Sequence, residues 1–159
     1  MSSSLNLSRE SAVIGKAEKQ EPCLSYLREA DSDCGHCTLR HAALFAGVHA
    51  PDLEKLRSQI CHGVLRRGTV IYSVGEAGQA VYTVRTGVVK LVMDVPGREK
   101  RIVRLLGRGA TLGLEVLAGR LYAHSAVTLR TSSLCRIPIE TVDTLHLHNP
   151  QLVHALMHK

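Results

Sequence analysis

The feature that most constrains the fold of this chain is a run of short apolar segments between Val64 and Ile137 in which glycine recurs every 10–12 residues. Apolar and polar residues alternate there, which indicates strands, and glycine tolerates the positive φ that tight turns need. The predicted strands are Thr69–Tyr72, Ala80–Arg85, Val88–Asp94, Arg101–Leu106, Thr111–Leu112, His124–Leu129 and Ser133–Ile137. Short strands at regular spacing predict a mainly β fold, a compact antiparallel barrel or jelly-roll-like roll.

Helical patterns flank these strands. A helix is predicted from Pro51 to about Gly63, because proline suits a first helical turn and apolar residues share one face. A second helix is predicted over Pro138–His148. A third is predicted to start at Asn149-Pro150 and to continue to Lys159. We therefore expect a disordered tail (1–21), a cysteine-bearing ligand loop (22–50), a roll with short flanking helices (51–148) and a truncated helix (149–159).

Composition bounds the class of protein. The chain has 159 residues, enough for one domain with an extension, and 45% of them are hydrophobic. No apolar run approaches the roughly 18 residues of a membrane span, and the first residues lack a secretory signal. A cytoplasmic location without membrane contact is expected. The net charge of +6 comes from scattered residues, which favours a solvated basic face over a nucleic-acid groove.

The cysteines are the strongest functional signal. Cys23, Cys34 and Cys37 crowd the N-terminal quarter, and Cys135 lies beyond most of the predicted strands. In a chain without an export signal, cysteines in such numbers indicate metal-binding or redox thiols more than disulfides. Four thiolates can complete the first shell of an iron–sulfur cluster or of zinc. Metal binding would then fix the N-terminal segment onto the folded domain.

Four segments together resemble the double-stranded β-roll of the Crp/Fnr superfamily, the cyclic-nucleotide-binding-domain fold. They are Tyr72-Ser73-Val74-Gly75-Glu76, Val81 to Lys90, Gly109-Ala110-Thr111-Leu112-Gly113, and Cys135 to Thr141. The segment Cys34 to His41 is similar to the cysteine-bearing leader of the Fnr branch, and Cys135 stands where that branch has its distal ligand. The resemblance implies an oxygen-sensing [4Fe–4S] cluster that controls dimerisation, and through it DNA binding.

The leader departs from that pattern at one ligand. The position that matches the third leader cysteine holds Phe45, and we expect Cys23 to replace it, because a loop of this length closes at modest entropic cost. The expected ligands are thus Cys23, Cys34, Cys37 and Cys135. Weaker alternatives are Cys61, His36 and His41, and zinc is the alternative metal.

Other ligands and activities have less support in the sequence. In the segment similar to a cyclic-nucleotide phosphate cassette, Leu114 replaces the ribose-contacting Glu and His124 replaces the phosphate-binding Arg, while Arg120 is expected to point to solvent. His154 and His158 could share a helix face, which would suit haem or another metal. Small-ligand binding or partner binding, with incidental cysteines, stays as the alternative function. No motif of an enzyme is present, so we do not expect catalysis.

The resemblance also implies segments beyond this sequence. A complete regulator of the superfamily continues through a long dimerisation helix into a helix-turn-helix domain. We therefore expect this chain to be a sensor domain that is monomeric or weakly dimeric, to form a homodimer through its C-terminal helix only in the complete regulator, and to bind DNA only when a helix-turn-helix domain is present.

Overall fold

The computed structural model describes Cys37, Leu39 and residues 57–144. Its eight strands are β1 (Cys61–Leu65), β2 (Val70–Tyr72), β3 (Ala80–Thr86), β4 (Val89–Met93), β5 (Arg101–Leu106), β6 (Thr111–Leu112), β7 (Ser125–Thr128) and β8 (Ser132–Pro138). Short 3-10 helices span Arg57–Gln59 and Leu114–Ala118, and the helix α1 spans Ile139–Thr144. None of the described helices is long and apolar enough to span a bilayer.

The strands form two four-stranded antiparallel sheets. The first sheet has the order β1-β8-β3-β6 and the second the order β2-β7-β4-β5. Strands that follow each other in the sequence repeatedly change sheet, as β3 and β4 do, so the two sheets wrap a common interior. The predicted mainly β roll with short flanking helices is confirmed.

The first sheet is covered on both faces along β3. Five successive residues of this strand, Ala80 to Val84, are buried. Because successive side chains of a strand point to opposite faces, Tyr82 and Thr83 lie on different sides of the sheet. The ring of Tyr82 is 5.8 Å from that of Tyr72 in the second sheet, measured between centroids. Tyr82 therefore marks the inner face, and Thr83 marks the outer face.

The corner between β3 and β4 depends on Gly87. Its φ is +90°, in the left-handed region, and a Cβ there would lie 2.6 Å from the carbonyl oxygen of Thr131 and 2.7 Å from Cα of Ser132. The Ser132 hydroxyl accepts the Val88 N–H at 3.2 Å and donates to the Arg130 carbonyl at 2.7 Å. A side chain at Gly87 would displace this hydrogen-bonded turn.

The strand predictions are close to the observed bounds, whereas the helix before them is partly wrong. Cys61, His62 and Gly63, which were expected to end that helix, belong to β1 and pair with β8. Residues 51–56 lie outside the described residues. Local apolar spacing favoured a helix, but pairing with β8 decides the conformation from Cys61 onward. Of the second predicted helix, Ile139–Thr144 is confirmed, Pro138 belongs to β8 instead, and residues 145–148 lie outside the described residues.

Replacing Gly87 by Ala should destabilise the protein more than replacing Gly68 by Ala. Both residues have positive φ, +90° and +83°, so both alanines incur about 1–2 kcal/mol of backbone strain. At Gly68 a Cβ meets no atom within 4 Å, which makes Gly68→Ala a matched control. Overpacking should cost Gly87→Ala a further 1–3 kcal/mol or so in urea unfolding. Equal losses in the two variants would contradict this account of the corner.

Candidate functional site

Cys135 lies in the middle of β8, between two strands of the first sheet. The register places it directly opposite His62 of β1 and Thr83 of β3. Directly opposite residues of antiparallel strands point to the same face, so the three side chains form one row. This row, called the outer row below, lies on the face that points away from the second sheet. Cys135 is half-buried there and carries a thiol that is not in a disulfide.

Two polar atoms of the outer row are buried without compensation. Among the described residues, neither Nδ1 of His62 nor Oγ1 of Thr83 has a hydrogen-bond partner. Thr83 is only 3% exposed. A buried polar atom without a hydrogen bond costs about 1–3 kcal/mol, and such atoms in native proteins are uncommon. The outer row thus carries two unused polar groups on either side of one sulfur.

The surroundings of His62 favour the neutral form of its ring. Burial lowers its pKa, and the positive charge of Arg85 lowers it further. A neutral imidazole has a lone pair on one ring nitrogen, which a metal or a hydrogen-bond donor can use. His62 was predicted to lie in a helix and was not considered as a ligand. Only the register of β1 against β8 brings it beside Cys135.

The structure places some of the predicted ligands and leaves others outside the described residues. Cys37 is half-buried and is a thiol. Cys23, Cys34, His36 and His41, together with Phe45, lie outside the described residues. Within the described part of the chain, no three His, Cys, Asp or Glu side chains are grouped closely enough to hold a metal ion. The ligand set Cys23, Cys34, Cys37 and Cys135 therefore stays a prediction.

Cys61 differs from the expectation for these cysteines. It is fully buried and disulfide-bonded, whereas the sequence favoured thiols over disulfides. Its register partner is Arg136, so Cys61 faces the side of the sheet opposite to Cys135. The other described cysteines are thiols, so its disulfide partner lies outside the described residues. Cys61 and Cys135 are thus separated by the sheet itself.

A second candidate site is a cavity of about 610 Å³ beside β5 and β6. Its polar and charged lining residues are Arg104, Glu115, Arg120, His124, Tyr72 and Thr111. Leu114, which replaces the ribose-contacting Glu, is 9% exposed and opens the 3-10 helix in this wall. Arg120 is exposed, as predicted, and it also lines the cavity. The Glu115 carboxylate accepts the Ala123 N–H at 3.0 Å, which ties the two sides of the phosphate-cassette segment together.

Stacked tyrosines stiffen the interior beside this cavity. The rings of Tyr72 and Tyr122 stack with centroids 3.8 Å apart, and the Tyr122 hydroxyl donates to the Ala80 carbonyl at 2.7 Å. Burial raises the pKa of both hydroxyls above the ordinary value of a tyrosine. A Cβ on Gly113 would lie 2.8 Å from the ring of Tyr122. This stacked pair could not be predicted from the sequence, because Tyr72 and Tyr122 are 50 residues apart and only the fold brings them together.

Comparison with known proteins matches this arrangement to a family. Residues 63–149 match the model of the cyclic nucleotide-binding domain, which is more than half of the chain. The transcriptional activator protein Anr of Pseudomonas protegens is 30% identical over 125 residues, 78% of this chain and 51% of that protein. The transcriptional activator protein FnrA of Stutzerimonas stutzeri is 27% identical over 130 residues, 81% of this chain and 53% of that protein.

A solved structure shows the same fold. The sensor domain of the transcriptional regulator DNR from Pseudomonas aeruginosa superposes with a TM-score of 0.66, at 22% identity, over 77% of this chain and 83% of that domain. The chain spans about half the length of the two curated relatives named above.

Replacing Tyr122 by Phe should destabilise the protein by about 1 kcal/mol at neutral pH, since the hydrogen bond to Ala80 is lost and that carbonyl is left buried. The difference in unfolding free energy between the wild type and Tyr122→Phe should become smaller above pH 10. The hydroxyl ionises near pH 10 when the chain is unfolded but resists ionisation in the fold, so the wild type loses stability there as the pH rises. Urea unfolding between pH 7 and 11 measures this. A stability difference that grows above pH 10 would contradict the view that the fold opposes ionisation of the Tyr122 hydroxyl.

Proposed function

Because this chain belongs to the cyclic nucleotide-binding domain family, and within it to the Fnr-like branch of the Crp/Fnr superfamily, we propose that it is the sensor domain of a transcription regulator. We propose further that it senses oxygen or redox state through an iron–sulfur cluster held by cysteine thiolates. The cluster would be a [4Fe–4S] centre with Cys23, Cys34, Cys37 and Cys135 as candidate ligands, and all four thiolates would be available only where the disulfide of Cys61 is reduced.

The observation that carries this proposal is the position of Cys135. Its thiol stands on the outer face of the sheet, half-exposed, and between two polar atoms that have no hydrogen-bond partner among the described residues. Thiolate sulfur is the donor that iron–sulfur clusters select, so the residues present fit this group.

The chain's own residues would bind the cluster and anchor it. When bound, a thiolate-held iron–sulfur cluster supplies a redox-active group whose stability in oxygen depends on its exposure. Cys135 is fixed by the ladders of β8 with β1 and β3, which makes it the rigid ligand. Cys37 and its neighbours in the sequence would join this rigid point when they bind. Binding would thereby change how the N-terminal segment lies on the roll.

That change would reach the DNA through segments outside the described residues. In a complete regulator, the docked N-terminal segment would favour one arrangement of a C-terminal helix and its homodimer. A ligand shifts such an equilibrium only by its differential affinity for the two states, so the cluster must bind the dimer-competent state more tightly. Loss of the cluster would return the equilibrium toward the monomer.

Replacing Cys135 by Ser should abolish the metal centre. Protein purified without oxygen should contain about four irons and four acid-labile sulfides per chain, with visible absorption that bleaches in air. Cys135→Ser should lower iron and sulfide to background, because an alcohol does not replace a thiolate. The matched control is Ser133→Ala, which changes a half-buried residue on the same strand and the same face. Equal iron and sulfide contents in the wild type and Cys135→Ser would refute the proposal. A wild type that contains zinc and no iron would show that the centre is a zinc site.

A second candidate function is the binding of a small ligand in the cavity beside β5 and β6. Its size and its mixture of basic and acidic lining residues favour a small polar molecule. Cyclic nucleotides fit this cavity poorly. His124 stands in place of the arginine that would bind the phosphate, and Leu114 stands in place of the glutamate that would bind the ribose. The cavity would then serve a different ligand or none.

Cyclic AMP and cyclic GMP should leave the thermal midpoint of this protein unchanged. A ligand present at about 100 times its Kd would stabilise the fold by roughly 2.7 kcal/mol, which a thermal scan detects readily. The double substitution of Leu114 by Glu and His124 by Arg, which restores the two missing groups, is the positive comparison. A rise of the midpoint in the wild type at millimolar nucleotide would contradict the prediction and favour the second function.

A further inference from the structure

We propose that His62 is a ligand of the metal centre through Nδ1, and that Thr83 donates a hydrogen bond to the sulfur of Cys135. This inference rests on the proposed function, because it names further partners of the same centre. The resulting site would be a mixed histidine and cysteine site. Its rigid half would be the outer row, contributed by the three adjacent strands β1, β8 and β3.

The positions of the two side chains suit a shared metal. His62 and Cys135 are directly opposite each other in an antiparallel ladder, where Cβ atoms lie about 4.5–5.5 Å apart. A ring nitrogen and a sulfur on such neighbours can reach two neighbouring irons of one cluster, or a single zinc ion. Imidazole and thiolate commonly share zinc, and histidine replaces cysteine on one iron of some iron–sulfur clusters. The pair thus offers two ligands on a rigid base.

The unused polar atoms point to what the row binds. The Nδ1 atom of His62 is buried although its ring is half-exposed, and the Thr83 hydroxyl is buried in a residue that is 3% exposed. A metal on Nδ1 would satisfy the first atom. A thiolate at Cys135 would accept a hydrogen bond from the Thr83 hydroxyl. Hydrogen bonds to a ligating sulfur commonly tune the potential of such centres. One event, metal binding, would satisfy both.

The leader leaves one ligand position to be filled. Phe45 stands where the leader of the Fnr branch has a cysteine, so a substitute is needed. His62 would take that position from the folded domain, in place of Cys23.

Pulsed electron paramagnetic resonance of the reduced centre tests the inference on the full chain, purified without oxygen. The wild type should show a strong nitrogen coupling from a directly bound imidazole. His62→Cys should keep the iron, since cysteine can occupy the ligand position, and should lose that coupling. His124→Ala removes a histidine that lines the cavity and should keep both.

A second variant tests the hydrogen bond of Thr83. Thr83→Val should keep the iron and shift the reduction potential of the centre, because the ligating sulfur loses a donor. In metal-free protein the same variant should raise the thermal midpoint, since it removes a buried hydroxyl that has no partner among the described residues. An unchanged potential together with a lowered midpoint would show that the hydroxyl has a different, structural role and would overturn this part of the proposal.

The outcomes separate this inference from the proposed function. Iron present in the wild type with no strong nitrogen coupling would overturn the histidine ligand and leave the thiolate cluster standing. A coupling that persists in His62→Cys would place the nitrogen donor elsewhere and would also overturn the inference. Absence of metal from the wild type would overturn both the inference and the proposed function.

Discussion

The pairing of β8 with β1 on one side and β3 on the other is the interaction on which the rest of this structure depends. β8 is one of the two inner strands of the first sheet, and it pairs along most of its length with both neighbours. Its inward side chains, Leu134 and Arg136, are buried against the roll's interior. Its outward side chain, Cys135, carries the candidate chemistry. One register therefore fixes the core and the site together.

This dependence explains why the site tolerates no slippage. A shift of β8 by one residue would exchange its faces, burying Cys135 in the interior and exposing Leu134. The core prevents that shift, since Leu134 is fully buried beside Val84. The apolar interior consequently holds the outer row in position without contributing an atom to it. Such a scaffold would let the N-terminal segment supply the remaining ligands of the proposed centre.

Much of the fold could be predicted from the sequence, because period-two alternation and regularly spaced glycines are local signals. The strand Arg101–Leu106 was predicted with its observed bounds. β1 was missed, because Leu53, Leu56 and Ile60 have helical spacing and nothing local shows that Cys61 begins a strand. The outer row could not be predicted either, since it joins residues that are far apart in sequence through the register of β8. Cys135 was identified by resemblance, whereas His62 and Thr83 required the structure.

Cys135 is proposed to anchor a metal centre on the outer face of the roll. Native mass spectrometry of protein kept from oxygen tests this role, because it weighs the intact chain with whatever it holds. The wild type should carry the added mass of one complete iron–sulfur cluster, and Cys135→Ser should have the mass of the bare polypeptide. A wild type without added mass, or a cluster retained by Cys135→Ser, would contradict it.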